Sequence, residues 1–144
     1  MRRYLTIFIV VMACLLFASC RHKETYAFLN STDEIICISV VKISFSDNGE
    51  VIQTLVREIK DTKAFLDDFR AVDCYTHYSD PLGISPGGTE DTVIKIFYEN
   101  DEYELINWLG QAKYTSEYGF RYYAGYSVFD EMQFEALIEA YLSN

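Results

Sequence analysis

Residues 34–46 read Glu-Ile-Ile-Cys-Ile-Ser-Val-Val-Lys-Ile-Ser-Phe-Ser. Apolar and β-branched side chains occupy both phases of a two-residue period: Ile36, Ile38 and Val40 in one, Ile35, Cys37, Val41, Ile43 and Phe45 in the other. A strand that is apolar on both faces must lie inside a sheet and be covered on both sides for part of its length. Asp47-Asn48-Gly49 then gives a tight hairpin, because Asn-Gly accepts the positive φ angles of short turns. Val51–Ile59 returns with Ile52, Thr54 and Val56 alternating against Gln53, Leu55 and Arg57. Asp61 is a good N-cap, since its side chain can accept the orphan amide protons of a first helical turn. A helix is expected over residues 62–72. Ala64, Phe65, Phe69 and Val72 form its inward stripe, while Lys63, Asp67 and Arg70 face water.

The same order then recurs. Residues 92–99 alternate Val93, Lys95 and Phe97 with Ile94, Ile96 and Tyr98. Asn100-Asp101 makes a second tight turn, and residues 102–109 return with Tyr103, Leu105 and Trp108. Residues 114–126 hold one or two short strands, and residues 26–29 offer an additional edge strand. A last helix is expected from Ser127, where Ser127 and Asp130 stand at capping-box spacing with Asp in place of Glu. Phe134, Leu137, Ile138 and Tyr141 follow at i, i+3, i+4 and i+7, a buried helical face. The fold expected is α+β: an antiparallel sheet of about five to seven strands with two helices on one face, in ββα-ββ(ββ)α order. Residues 73–91, rich in Pro and Gly, are read as one long loop.

Ahead of this body lies a different kind of segment. Arg2 and Arg3 precede an uncharged run over residues 4–17, which ends in small residues before Cys20. The run falls short of the roughly 20 apolar residues that cross a ~30 Å hydrocarbon core. A positive start, a short apolar middle and a small-residue exit define a secretory leader. Phe17-Ala18-Ser19-Cys20 resembles the cleavage motif of bacterial lipoproteins, with Phe17 where Leu is usual. The resemblance implies removal of residues 1–19, a diacylglyceryl thioether on the Cys20 sulfur, and often an acyl group on the new amine. Two or more chains anchor stably where one binds only marginally. The alternatives are an uncleaved membrane anchor and an ordinary cleaved signal. The organisation resembles small exported bacterial lipoproteins of unknown function, and it carries no catalytic residue across. The domain boundaries expected are 1–19 for the leader, 20–32 for the lipidated Cys with a short tether and the possible edge strand, and 33–144 for a single α+β domain.

Export would place the remaining thiols, Cys37 and Cys74, in an oxidising compartment. A bridge between them would contribute about 3–4 kcal/mol on chain-entropy grounds; the other reading is two buried thiols acting as small apolar residues. The chain has 22 acidic and 12 basic residues and a formal net charge of −10. That balance repels phosphate backbones and argues against a nucleic-acid partner. Half the residues are hydrophobic and 16% are aromatic, which argues against disorder.

Few residues invite chemistry. Cys74, His77 and Asp80 share a loop at a spacing that is no recognised metal-ligand set. Residues 85–89 suggest a nest of backbone amides but lack the Lys of a phosphate loop. Asp67-Asp68 and the run 99–102 are acidic clusters without a calcium-loop pattern. No cofactor and no metal is expected. Tyr114, Tyr118, Phe120, Tyr122, Tyr123 and Tyr126 crowd a short segment, with Tyr118, Phe120 and Tyr122 on one strand face and Tyr123 on the other. Tyrosine offers rigid area with a polar tip, which suits a recognition surface. The leading expectation is a membrane-anchored, non-enzymatic binding or accessory domain of the cell envelope. It would be held at the membrane by lipidated Cys20 and contact an envelope protein, peptide or glycan. The alternatives are a small exported hydrolase using His77 with nearby carboxylates, and an inhibitor or immunity-type lipoprotein whose acidic surface steers a basic partner.

Overall fold

A computed structural model of the chain describes residues 23–48, 50–76, 91–122 and 127–143. After a single 3-10 turn at Thr32–Glu34 come β1 (Ile35–Phe45), β2 (Val51–Ile59), α1 (Thr62–Ala71), β3 (Cys74–Thr76), β4 (Asp91–Tyr98), β5 (Tyr103–Asn107), β6 (Gly110–Thr115), β7 (Gly119–Tyr122), β8 (Ser127–Phe129) and α2 (Glu131–Ser143). The larger sheet has the order β2-β1-β4-β5-β6-β7, with every pairing antiparallel; β3 and β8 form a separate antiparallel pair. The fold is α+β, with both helices on one face of the larger sheet.

Local chemistry sets the turns. Ser46 N–H donates to the Glu50 carbonyl at 2.9 Å and closes the first hairpin. At the β4–β5 turn Tyr98 N–H donates to the Glu102 carbonyl, and Asp101 adopts a φ of 62°, a conformation that Asp tolerates better than bulkier residues. Asn107 Oδ1 accepts from the Leu109 and Gly110 amides at 3.0 and 2.8 Å and fixes the tight β5–β6 turn. Gly119 opens β7 at φ 68°, where a side chain would be strained. Asp61 caps α1 as expected, accepting from Ala64 N–H at 2.9 Å.

Four expectations are corrected. Ser127 does not start the last helix: Ser127–Phe129 is a strand paired with β3, and Phe129 is buried. Asp130 does the capping instead, its Oδ1 accepting from Gln133 N–H at 3.1 Å. Residues 74–76 are not part of a loop, because Cys74–Thr76 is β3. Residues 26–29 are not an edge strand. Tyr26 is buried among rings, with Phe28, Phe69 and Phe129 at centroid distances of 5.0, 5.4 and 5.5 Å. Ile36, expected to pack, is 58% exposed. The β1–β4 register shifts between Ile35 and Cys37, which throws the residue between them out of the ladder.

The main core lies between the sheet and the helices. Ile38, Val40, Ile94, Ile96 and Ile106 supply its floor, and Phe65, Phe69, Phe134 and Leu137 its roof. Removing one such Phe typically costs about 3–5 kcal/mol. The exposed Lys63–Asp67 pair on α1 is worth only about 0.3–0.5 kcal/mol. Packing therefore outweighs surface charge in holding the helices down.

One polar group sits inside this core. Glu104, on β5 opposite Ile96, is 0% exposed. Tyr26 donates its hydroxyl to Glu104 Oε2 at 2.6 Å, and Tyr98 donates to Oε1. Leu29 N–H donates to Oε1 at 3.2 Å, and Lys113 Nζ lies 3.9 Å from Oε2. Hydrogen bonds to a charged group are worth about 1.5–3 kcal/mol each. Glu104 thus holds both ends of the segment 26–29, through the Tyr26 hydroxyl and the Leu29 amide. The same segment is fixed further back by Glu24 N–H to the Cys74 carbonyl at 2.8 Å and by a Lys23–Asp73 ion pair at 2.7 Å.

The pH dependence of this cluster has a definite sign. Burial, followed by the adjacent Glu104, holds both the Tyr26 and Tyr98 hydroxyls well above the usual tyrosine range. In the unfolded chain both ionise near pH 10. Above that pH the unfolded form has shed protons that the folded form keeps, so stability falls as pH rises; below it the contribution is complete. The midpoint of denaturant unfolding should drop more steeply between pH 9 and pH 11 in the wild type than in a Tyr98→Phe variant. Parallel slopes would contradict the placement of Tyr98.

Candidate functional site

The sheet face away from the helices has a different character. Register places Val41 beside Val93, Lys95 beside Leu105, Leu105 beside Ala112, and Tyr103 beside Tyr114. Val41, Ile43, Val93, Leu105 and Ala112 form a second, smaller buried cluster, with Val51 and Tyr103 packed against it. No described helix lies over this face.

A polar and aromatic row borders that cluster. Lys95 comes from β4, Tyr103 from β5 and Tyr114 from β6. The Lys95 ammonium donates to Gln53 Oε1 at 2.8 Å and stands 4.3 Å from the Tyr103 ring centroid and 5.7 Å from that of Phe97. Gln53 Nε2 in turn donates to the Tyr103 hydroxyl at 3.1 Å. Tyr103 and Tyr114 stack, 4.9 Å apart and 10° from parallel. Burial pulls the Lys95 pKa down, with the nearby Cys37 opposing it; the cation–π contact and the Gln53 carbonyl keep the ammonium in place. Beside this row is a depression of about 310 Å³, bordered by Cys37, Gln53, Leu55, Lys95 and Phe97. Burial, helped by Glu58, pushes the Cys37 thiol up, and Lys95 only partly offsets this. A thiol held protonated is a poor nucleophile. The chemistry on offer is stacking, cation–π contact and hydrogen bonding.

The expected site residues fall in different places. Tyr114 is in the row. Tyr118 is not in a strand: it sits in the turn before β7, is 55% exposed, and its N–H donates to Thr115 Oγ1 at 3.2 Å. Phe120 pairs with Tyr114 and Tyr122 with Ala112 in the β6–β7 ladder. Tyr123, Tyr126, His77, Asp80, residues 85–89 and Cys20 lie outside the described residues. Of the two readings of the thiols, the Cys37–Cys74 bridge is not formed. Cys37 borders the depression on the helix-free face, whereas Cys74 is buried in the core beneath the helices, so the sheet separates them. The acidic clusters have structural partners, with Asp67 paired to Lys63, Asp68 accepting from Tyr141, and Glu102 accepting from Asn30 and Asn100.

Lys95, Tyr103 and Gln53 were not singled out by sequence. One signal was available: Lys95 is the only charge in the interior of an otherwise apolar strand, in phase with Val93 and Phe97. Among the described residues no group of three His, Cys, Asp or Glu could hold a metal ion, and no helix is long and apolar enough to cross a membrane. No family model, curated protein or solved structure matches the chain, so the geometry carries the functional argument alone.

The placement of the thiols can be checked directly. In the native protein a maleimide reagent should modify Cys37 and spare Cys74 until denaturant is added, as read by peptide mass spectrometry. A Cys37–Cys74 disulfide in the purified protein, or equal labelling of both thiols, would contradict the assignment.

Proposed function

We propose that this chain is a lipid-anchored protein of the bacterial cell envelope that acts as a non-enzymatic binding module, with the helix-free sheet face as its contact surface. The observation that carries the binding part is the Lys95–Tyr103–Tyr114 row. It sets rigid aromatic area and a held cation side by side on the face that the helices leave open. Rigid aromatic and cationic groups dominate binding energy at interfaces. The partner class that fits is an envelope protein, peptide or glycan with planar or apolar groups to stack and acceptors to meet the ammonium.

The anchoring part rests on the leader pattern ending at Cys20. Lys23 is already paired to Asp73, and Glu24 to the Cys74 backbone. Residues 20–22 can span only about 10 Å when fully extended. A lipid on Cys20 would therefore hold the body close against the headgroups, in a restricted orientation.

Two measurements test the proposal separately. Radiolabelled palmitate should enter the wild-type chain in a bacterial host and be absent from Cys20→Ser; an unlabelled wild type would contradict the anchor. Tyr103→Ala together with Tyr114→Ala should weaken capture of the envelope partner by at least about 2 kcal/mol, roughly thirtyfold, the level expected of a binding hot spot. Unchanged capture by a double variant that retains its circular-dichroism spectrum would contradict the surface.

A further inference from the structure

β2 stands at one edge of the larger sheet. Ser46 N–H bonds the Glu50 carbonyl, and Phe45 stands opposite Val51. In an antiparallel ladder bonded and non-bonded pairs alternate. It follows that Ile52 and Thr54 direct their backbone groups inward to β1, while Val51, Gln53 and Leu55 direct theirs outward. Among the described residues no strand lies beyond β2. On either side this edge is cut short. The hairpin turn ends it before Val51, and the β1–β2 register shift places a bulge at Val56, between Leu55 and Arg57. Bulges of this kind commonly limit pairing along an exposed edge.

The usable edge is therefore residues 51–55, Val-Ile-Gln-Thr-Leu, an uncharged run in a chain of net charge −10. Its outward groups are symmetric about Gln53. Leu55 within it is 62% exposed, and Ile52 is also exposed. We propose that a second copy of this chain docks there, edge to edge and antiparallel, with the two-fold axis through Gln53. That axis sets Val51 against the partner's Leu55 and Gln53 against the partner's Gln53, each pair exchanging both hydrogen bonds. Every outward donor and acceptor is then used. On the other side of the ladder Ile52 meets the partner's Thr54. No like charges stand directly opposite one another, since Glu50 meets the partner's Val56. A foreign strand would gain the same short ladder; a second copy is favoured because residues 51–55 carry no charge, so two chains of net charge −10 meet there without opposed carboxylates. Both copies use the same edge, so the assembly closes at two.

The pairing bears on the binding face. Gln53 and Leu55 border the depression next to Lys95. An axis perpendicular to the sheet keeps both helix-free faces on one side, so the two depressions adjoin across the new ladder. The N-terminal segments of both copies also stay at one height along the axis, which suits two anchors in one membrane.

The test uses the full chain in detergent-solubilised membranes. Gln53→Cys would bring two Cα atoms to about 5.5 Å across the axis, within reach of a disulfide. Under mild oxidation it should give a covalent dimer well above the wild-type background. Met132→Cys, 79% exposed on α2, should not. Leu55→Glu should halve the native mass of the otherwise unaltered chain while leaving the fold intact, because Leu55 is exposed in the single copy. The proposal is overturned if Gln53→Cys cross-links no better than Met132→Cys, if Leu55→Glu leaves the mass unchanged, or if the wild type runs at monomer mass at its highest soluble concentration. It is likewise overturned by larger species in place of a dimer.

Discussion

The buried Glu104 side chain is the contact on which the rest of the arrangement turns. A charged group removed from water is tolerated only when it is paired and hydrogen-bonded, and here its oxygens take two tyrosine hydroxyls and a backbone amide with a lysine close by. Those donors come from three separate parts of the chain: the segment before β1, the end of β4, and β6. Removing the acceptor would leave several donors buried without partners, a larger penalty than the loss of an ordinary surface hydrogen bond. Through Tyr26 the same contact sets the ring that Phe28, Phe69 and Phe129 pack around. The N-terminal segment, one helix and the small β3–β8 pair are thus tied to one polar centre.

This centre explains the asymmetry of the molecule. The helix side of the sheet is saturated, with an aromatic core above and a satisfied polar group within it. The opposite side keeps its apolar cluster next to Lys95, Tyr103 and Tyr114, with no described helix above. The binding role proposed for that side and the pairing proposed for β2 both follow from where coverage stops, one at a face and the other at an edge. They remain independent, because a face can bind as a monomer and an edge can pair without a ligand.

Much of the fold was legible in the sequence because its determinants are local. The two-phase apolar run of β1, the Asn48 and Asn100 turns and the Asp61 cap each act within a few residues and stand where sequence placed them, whereas the Asn107 turn falls inside residues 102–109, which read as one strand. The misreadings share a cause. Ser127 looked like a cap because its spacing to Asp130 was right, but Phe129 gains more by entering the core as part of a strand, and Asp130 was an equally good cap. Sequence left Cys37 and Cys74 readable either as a bridge or as two buried thiols; strand phase sends Cys37 to one side of the sheet and β3 buries Cys74 on the other. Glu104 was invisible because a lone Glu in an alternating strand reads as solvent-facing. Only the pairing of β5 with β4 and β6 shows that its phase is the inward one. Lys95 and Tyr103 stayed hidden for the same reason, since their contact joins neighbouring strands rather than neighbouring residues. Of the aromatic segment, Tyr114 stacks on Tyr103, while Tyr118 lies in a turn and not in the strand expected for it.

Hydrogen exchange in a Glu104→Ala variant tests the central claim most directly. In the wild type the Leu29 amide, which donates to Glu104, should exchange slowly. In the variant it should become freely exchanging while the β1 and β4 amides stay protected, because it loses its acceptor and the sheet keeps its ladder. Protection of the Leu29 amide that survives the substitution, or free exchange there already in the wild type, would contradict the account.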